Sequence, residues 1–192
     1  MTKLYSGRAL LLVASLLSLG RVGFAEEPKP PALSPESQAL VPLLDAKDEY
    51  VRQTAFLQLE ALREPAAAGV IRAHLASKNA NTRAFSARAL AAVERAQAVP
   101  TLLAIMKQDR QPRVRVAALL AVEPLEDPSI LPALIARLRD RNAEVRMAAV
   151  DVVSRIDHPL AREAILKRWK REHHRDVQRV LQEALKRMGL PA

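Results

Sequence analysis

The sequence has no cysteine and is poor in aromatic residues and glycine. Each shortage excludes something. Without cysteine there is no disulfide, no thiolate metal site and no cysteine nucleophile. Aromatic residues make up 3% of the chain although hydrophobic residues make up 49%. With few Val, Ile or Thr runs as well, a β-sandwich is disfavoured. Of the five glycines, Gly7, Gly20 and Gly23 precede residue 26, and only Gly69 and Gly189 follow. A P-loop or dinucleotide-binding fingerprint needs several closely spaced glycines, so neither is present. What is plentiful is Ala, Leu and Arg, the residues that favour helix. At 192 residues the expectation is one all-α domain behind whatever the N-terminus carries.

The N-terminus reads as an address. Lys3 and Arg8 precede an uncharged apolar run from Ala9 to Leu19, and Gly23-Phe24-Ala25 offers small residues before Glu26. That is the layout of a secretory signal peptide over residues 1–25, with cleavage after Ala25. The run is short for a membrane span. An uncleaved anchor is the alternative, because Arg21 lies close to the cleavage site. No cysteine follows the run, which excludes a bacterial lipoprotein. The expected location is periplasmic or secreted, with no transmembrane segment after cleavage. Residues 26–34 (EEPKPPALS) read as a flexible Pro-rich lead-in.

From residue 35 to 190 the chain repeats itself. Five segments line up, beginning at Tyr50, Asn81, Arg113, Glu144 and Asp176. Their second positions are Val51, Thr82, Val114, Val145 and Val177, at spacings of 31, 32, 31 and 32 residues. Apolar or small residues recur at offsets 0, +3, +4, +7 or +8 and +11, a helical period. A second helical pattern precedes each segment. Residues 68–83 align without gaps to 131–146. Pro100 and Pro132 sit early in these preceding helices, where a missing N–H costs little. Asp48, Asn81, Pro112 and Asn142 occupy the connecting turns as caps or openers. Pro42 falls inside the first helix, which is therefore expected to kink or start late. Each unit is a helical hairpin that cannot bury its apolar side alone, so neighbours must stack. The expected architecture is an α-solenoid of about five hairpins. An Ala-lined stack leaves little room for rings, and Phe56, Phe85 and Trp169 read as gap-fillers.

The recurring pattern, Pro-x-Leu-Ile-x-x-Leu followed by Asp-x4-Val-Arg-x-x-Ala-x3-Leu/Val, resembles the short class of HEAT-like repeats. That class also occurs in phycobilin-lyase subunits. The resemblance covers residues 36–190 and implies architecture while saying little about activity. Thr82 replaces Val in the second repeat, and Gln178 replaces Arg in the fifth, which suits a C-terminal cap.

Three features could carry function. Arg52, Arg83, Arg115 and Arg146 share one repeat position and should form a ladder. The ladder is either a basic stripe for an acidic partner or a set of ties to turn acids such as Asp48, Asp109 or Asp140. On the second helices, offset +2 reads Gln53, Ala84, Val116, Met147, Arg179, and offset +6 reads Leu57, Arg88, Leu120, Asp151, Glu183. Val116, Leu120 and Met147 then mark a face for a protein or peptide, unless they pack between repeats. With Arg83, Arg115 and Arg146 they are the candidate partner-binding residues. The run 167–175 (KRWKREHHR) is the strongest basic stretch, either a nucleic-acid patch with Trp169 as a stacking ring or a solvated end hairpin with Trp169 in the core.

No catalytic, metal-binding or cofactor-binding set emerges. His173 and His174 are adjacent and would diverge on a helix. The HEAT-like deoxyhypusine hydroxylases use His-Glu dipeptides to hold iron, and this chain has none. The expected role is a non-catalytic scaffold for an unidentified protein or peptide, as a monomer or a component of a complex. The alternatives are a polyanion binder and an enzyme or enzyme subunit akin to the lyases or hydroxylases. The net charge of +9 invites a nucleic-acid reading. Lys3, Arg8 and Arg21 belong to the leader, however, and the mature chain is acidic in its first repeat and basic beyond. Nucleic acid is therefore not the expected partner.

Overall fold

Prolines and small polar caps divide the chain into short helices. The computed structural model describes residues 32–125 and 128–191; the expected leader and most of the lead-in lie outside them. Helix α1 (Pro35–Leu40) tightens into a 3-10 turn over Val41–Asp45 and is followed by α2 (Glu49–Leu62). The second hairpin is α3 (Ala68–His74) and α4 (Ala80–Glu94), and the third is α5 (Val99–Gln108) and α6 (Pro112–Val122). The fourth is α7 (Leu131–Arg137) and α8 (Ala143–Arg155), and the fifth is α9 (Pro159–Trp169) and α10 (Arg175–Arg187). There is no strand among the described residues. The fold is an all-α solenoid of five hairpins.

The local signals explain the breaks. Pro42 lies at the start of the 3-10 turn that ends α1, where its missing N–H is tolerated. Asp48 and Asn142 cap α2 and α8, each accepting two backbone N–H groups. Asn81 was expected in a turn, but the cap of α4 is Asn79, and Asn81 lies in the first turn of the helix. There its amide donates to Glu49 and accepts from Arg113, linking three successive repeats. The run Ala80–Gln108 is long and apolar enough to cross a membrane by length and composition. It is broken at Arg95, whose φ of 52° and ψ of −125° end α4, so α4 and α5 are separate members of the stack.

The second helices α2, α4, α6, α8 and α10 pack on one another in order, and each first helix packs mainly on its own partner. The core runs through this row. It contains Phe56, Leu90, Leu119, Val150 and Leu181, all fully buried. Small residues such as Ala87, Ala118 and Ala149 let neighbouring helices approach closely. Trp169 aligns with the buried Met106 but is only half-buried against the core.

Comparing one position across repeats shows which way it faces. Position +5 is buried as Phe56, Ala87, Leu119 and Val150, and exposed only in the last repeat, as Gln182. It therefore faces the following repeat. Position +7 is buried as Ala89, Ala121, Val152 and Ala184, and exposed only in the first repeat, as Gln58. It faces the preceding one.

Candidate functional site

The repeat places one arginine at the start of each of α2, α4, α6 and α8. Its guanidinium always does one thing first: an Nη1–H donates to the carbonyls of its own hairpin turn. Arg83 reaches the Ser77 oxygen at 2.8 Å, Arg115 the Asp109 oxygen at 2.9 Å, and Arg146 the Asp140 oxygen at 3.0 Å. Arg52 does the same with the Ala46 and Lys47 carbonyls. In the fifth repeat Gln178 substitutes its amide, donating to the Glu172 carbonyl at 2.8 Å.

The other edge of the fork reaches into the next repeat. Arg83 Nε and Nη2 hold Asp109 at 2.8 and 2.9 Å. Arg115 holds Asp140 at 3.0 and 2.7 Å, and Arg146 holds Glu172 at 2.9 and 3.2 Å. These are bidentate pairs, the stronger geometry. Each acid also fixes its own turn: Asp109 accepts from the Gln111 N–H, Asp140 from Asn142, and Glu172 from His173 and His174. Arg83, Arg115 and Arg146, expected as partner contacts, thus have their donors used inside the solenoid. Arg83 and Arg115 are buried, and Arg146 is nearly so. Of the acids expected as their partners, Asp109 and Asp140 take that role, and Asp48 does not.

Burial raises the carboxyl pKa of Asp109 and Asp140, but the hydrogen bonds from Arg83 or Arg115 and from the turn N–H outweigh it. Both stay below the ordinary carboxylate range. Glu172 is further displaced. Burial again raises it, yet Arg146, Arg168 and the His173 and His174 N–H groups bring it down to about 2.

The first joint departs from the rule. Ser77 stands where Asp109, Asp140 and Glu172 stand in later turns. It still fixes its turn, accepting from the Asn79 N–H at 3.2 Å. It supplies no charge to Arg52, whose Nε is buried without a hydrogen-bond partner.

The outward side of the second helices is a different surface. Leu120 is 42% exposed, and it lies between two shallow depressions. One, of about 540 Å³, extends from Glu60 and Arg63 through Arg88 and Arg95 to Leu120 and Pro124. The other, of about 370 Å³, extends from Leu120 across Met147 and Asp151 to Glu183 and Arg187. Met147 is half-buried and contributes to the second. Val116 is half-buried and lines neither. The first depression carries three arginines against one glutamate, and the second two acids against one arginine. This local polarity runs opposite to that expected from the repeats as wholes. Cross-repeat ion pairs lie within these linings, Arg88–Glu60 at 3.3 Å in the first and Arg187–Asp151 at 3.2 Å in the second.

Two of the four histidines, His74 and His158, do structural work. His74 bonds the Val70 carbonyl and Asp45 and meets Phe56 edge-on, joining the first two repeats. His158 caps α9 through Nδ1, which the sequence reading missed. Among the described residues no three His, Cys, Asp or Glu side chains gather as a metal site.

The protein family described as HEAT repeats matches residues 37–123 and again 99–186. The chain belongs to the HEAT-repeat family. A search of curated proteins returned no match. Among solved structures, the chain is similar to one in the complex of CpcE and CpcF of phycocyanin lyase from Nostoc sp. PCC7120. The TM-score is 0.65 at 21% identity, covering 77% of this chain and 96% of that one. At that identity the likeness speaks for the fold alone.

Proposed function

We propose that this HEAT-repeat chain is a non-catalytic, protein- or peptide-binding scaffold of the cell envelope. The carrying observation is the second-helix face, where exposed Leu120 joins two depressions of opposite charge balance. A leucine rimmed by arginine and carboxylate suits an extended or helical peptide with an apolar anchor and charges of both signs. The likeness to a chain in a two-protein complex supports binding to protein rather than to a polymer. The leader pattern of residues 1–25 supports the envelope location.

Two measurements test this. N-terminal sequencing of the protein from the periplasmic or secreted fraction is expected to begin at Glu26. Leu120→Glu, at an exposed position, is expected to keep the helical signal and unfolding midpoint while losing the protein captured by the wild type from that fraction. Equal capture by both would reject the face. A second reading follows from the lyase neighbour: the chain is one subunit of an enzyme that handles a chromophore. It requires a visible absorbance band to co-purify with the chain and its partner, whereas the scaffold reading requires none.

A further inference from the structure

The arginine ladder is used up in the joints, but a second basic row stands beside it. The residue after Ser77, Asp109 and Asp140 is a cation in each turn, Lys78, Arg110 and Arg141, and Lys47 holds that place in the first turn. Each backbone carbonyl of this row is held by the ladder arginine of its own repeat. Arg52 holds Lys47 at 2.8 Å, Arg83 holds Lys78 at 3.3 Å, and Arg115 and Arg146 hold Arg110 and Arg141 at 3.4 Å. The four therefore share one place in successive turns. The joints Arg83–Asp109 and Arg115–Asp140 set those turns side by side along one edge. All four cations are exposed, and among the described residues none of their side chains makes a hydrogen bond or ion pair.

From the second turn onward, Lys107, Arg139, Lys170 and Arg171 widen the row and are exposed and unpaired in the same way. The acids of these turns do not offset them. Asp109, Asp140 and Glu172 are already held by the ladder, which leaves Glu144 and Asp176 as the exposed carboxylates where α8 and α10 begin. At its last turns the row meets a hollow of about 210 Å³ between α7 and α9. Ile135, Leu138 and Ala164 line the hollow together with Leu160, which is 51% exposed. Arg139, Lys167 and Arg171 line it too, against Glu163. One repeat earlier, Ser129 and Ala136 stand at the positions of Leu160 and Lys167, so this pairing of an apolar and a basic side chain belongs to the last groove.

The hollow is smaller than the roughly 300 Å³ at which small-molecule pockets begin, and suits one apolar side chain. Beyond the first repeat, the large exposed hydrophobic side chains are Leu160 and, on the second-helix face, Leu120. A bilayer therefore finds no apolar row to take up here. Trp169 is half-buried against the core, so bases find no exposed ring to stack on.

We propose that the turn edge from Lys78 to Arg171 is a second docking surface, whose occupant is an extended acidic segment of another protein with one apolar residue seated beside Leu160. Packed helices lie about 10 Å apart and an extended chain rises about 3.3 Å per residue. An acid at every third residue then meets Lys78, Arg110 and Arg141 in turn. This surface lies on the turns and first helices, apart from the Leu120 face, and does not depend on it.

The probe is a fluorescein-labelled ten-residue peptide of glycine and serine with glutamate at every third position and one leucine, followed by anisotropy against the purified protein. It is expected to bind, more weakly as salt rises, while the same peptide with lysine for glutamate does not. Arg110→Gln with Arg141→Gln should weaken binding at least about tenfold, the equivalent of ~1.4 kcal/mol, with an unchanged circular dichroism spectrum. Arg63→Gln with Lys186→Gln removes the same charge from the far ends of α2 and α10 and should leave binding unchanged, as should Leu120→Ser. Leu160→Ser should abolish the preference for the leucine peptide over one with serine in its place. Equal binding by the Arg110 and Arg141 double variant, equal loss in the Arg63 and Lys186 variant, or a leucine preference that persists in Leu160→Ser would overturn the proposal. So would binding to phosphatidylglycerol vesicles or a DNA duplex that the peptide cannot displace, which would make a membrane or a nucleic acid the occupant.

Discussion

At the scale of single residues, Glu172 and Ser77 show how one repeat position sets the strength of a joint. Glu172 accepts from two arginines and two backbone N–H groups and is almost fully buried. Its carboxyl pKa falls from the ordinary 4.5 to about 2. A depressed folded-state value means that the stabilisation is complete above about pH 5 and is lost as pH falls toward 2, when the proton returns. The shift corresponds to about 3 kcal/mol at neutral pH. Glu172→Gln should therefore lower the unfolding free energy from urea titration at pH 7 by about that amount, and wild type and variant should converge near about pH 2. A gap independent of pH would contradict the assignment. Asp109 and Asp140 shift in the same direction and add to the same acid sensitivity.

Ser77 is the converse case. Arg52 has its turn carbonyls but no carboxylate, and its Nε is unpaired. Ser77→Asp should supply the missing acid and stabilise by about 1 kcal/mol, typical of a charge-assisted hydrogen bond net of desolvation. The gain should vanish in an Arg52→Met background; a gain that survives there would place its source elsewhere.

At the scale of elements, the helices end where backbone geometry forces them to. Arg63 closes α2 at φ 51°, ψ 33°, an ordinary left-handed cap. Arg95 closes α4 at φ 52°, ψ −125°, a region that suits glycine and strains a residue with a Cβ. Arg95→Gly should raise the unfolding midpoint by the equivalent of about 1 kcal/mol, and Arg63→Gly by less. A larger gain at Arg63 would refute this ranking. The turn at Arg95 also keeps the apolar run Ala80–Gln108 from being one long helix. Position within a turn was legible only in part: Asp48 and Asn142 cap as their spacing suggested, but Asn79, two residues before Asn81, proved to be the cap. An asparagine in either place satisfies the sequence pattern, and only backbone φ and ψ choose between them.

At the scale of the whole molecule, stability is a chain of nearest-neighbour joints. Three joints have a bidentate ion pair and the first has none. The first repeat is held instead by His74 and by Glu64, which accepts from Ser34 and Ser37. Those groups are partly exposed, so the joint is weaker. Hydrogen exchange should show α2 amides less protected than those of α6 and α8, and Ser77→Asp should raise protection in α2. Uniform protection across the second helices would show that the ion pairs do not set local stability.

The helical hairpins, their number and their stacking follow from the sequence, because a repeat of 31 or 32 residues carrying a period of 3.6 leaves no other way to bury its apolar stripe. The arginine ladder was visible too, with Asp109 and Asp140 among its possible partners, whereas Glu172 was not singled out and Asp48 was. What the ladder does was decided by tertiary structure. Whether a guanidinium faces solvent or the next turn depends on how closely two hairpins pack, and the packing brings Glu172 to Arg146 while leaving the Arg52 Nε buried without a partner. The same holds for Val116 and Leu120. They are four residues apart on one helix and alike in hydropathy, but the first is half-buried and the second exposed. A periodic sequence specifies that a face exists; the neighbour packed beside it determines how much of that face remains open.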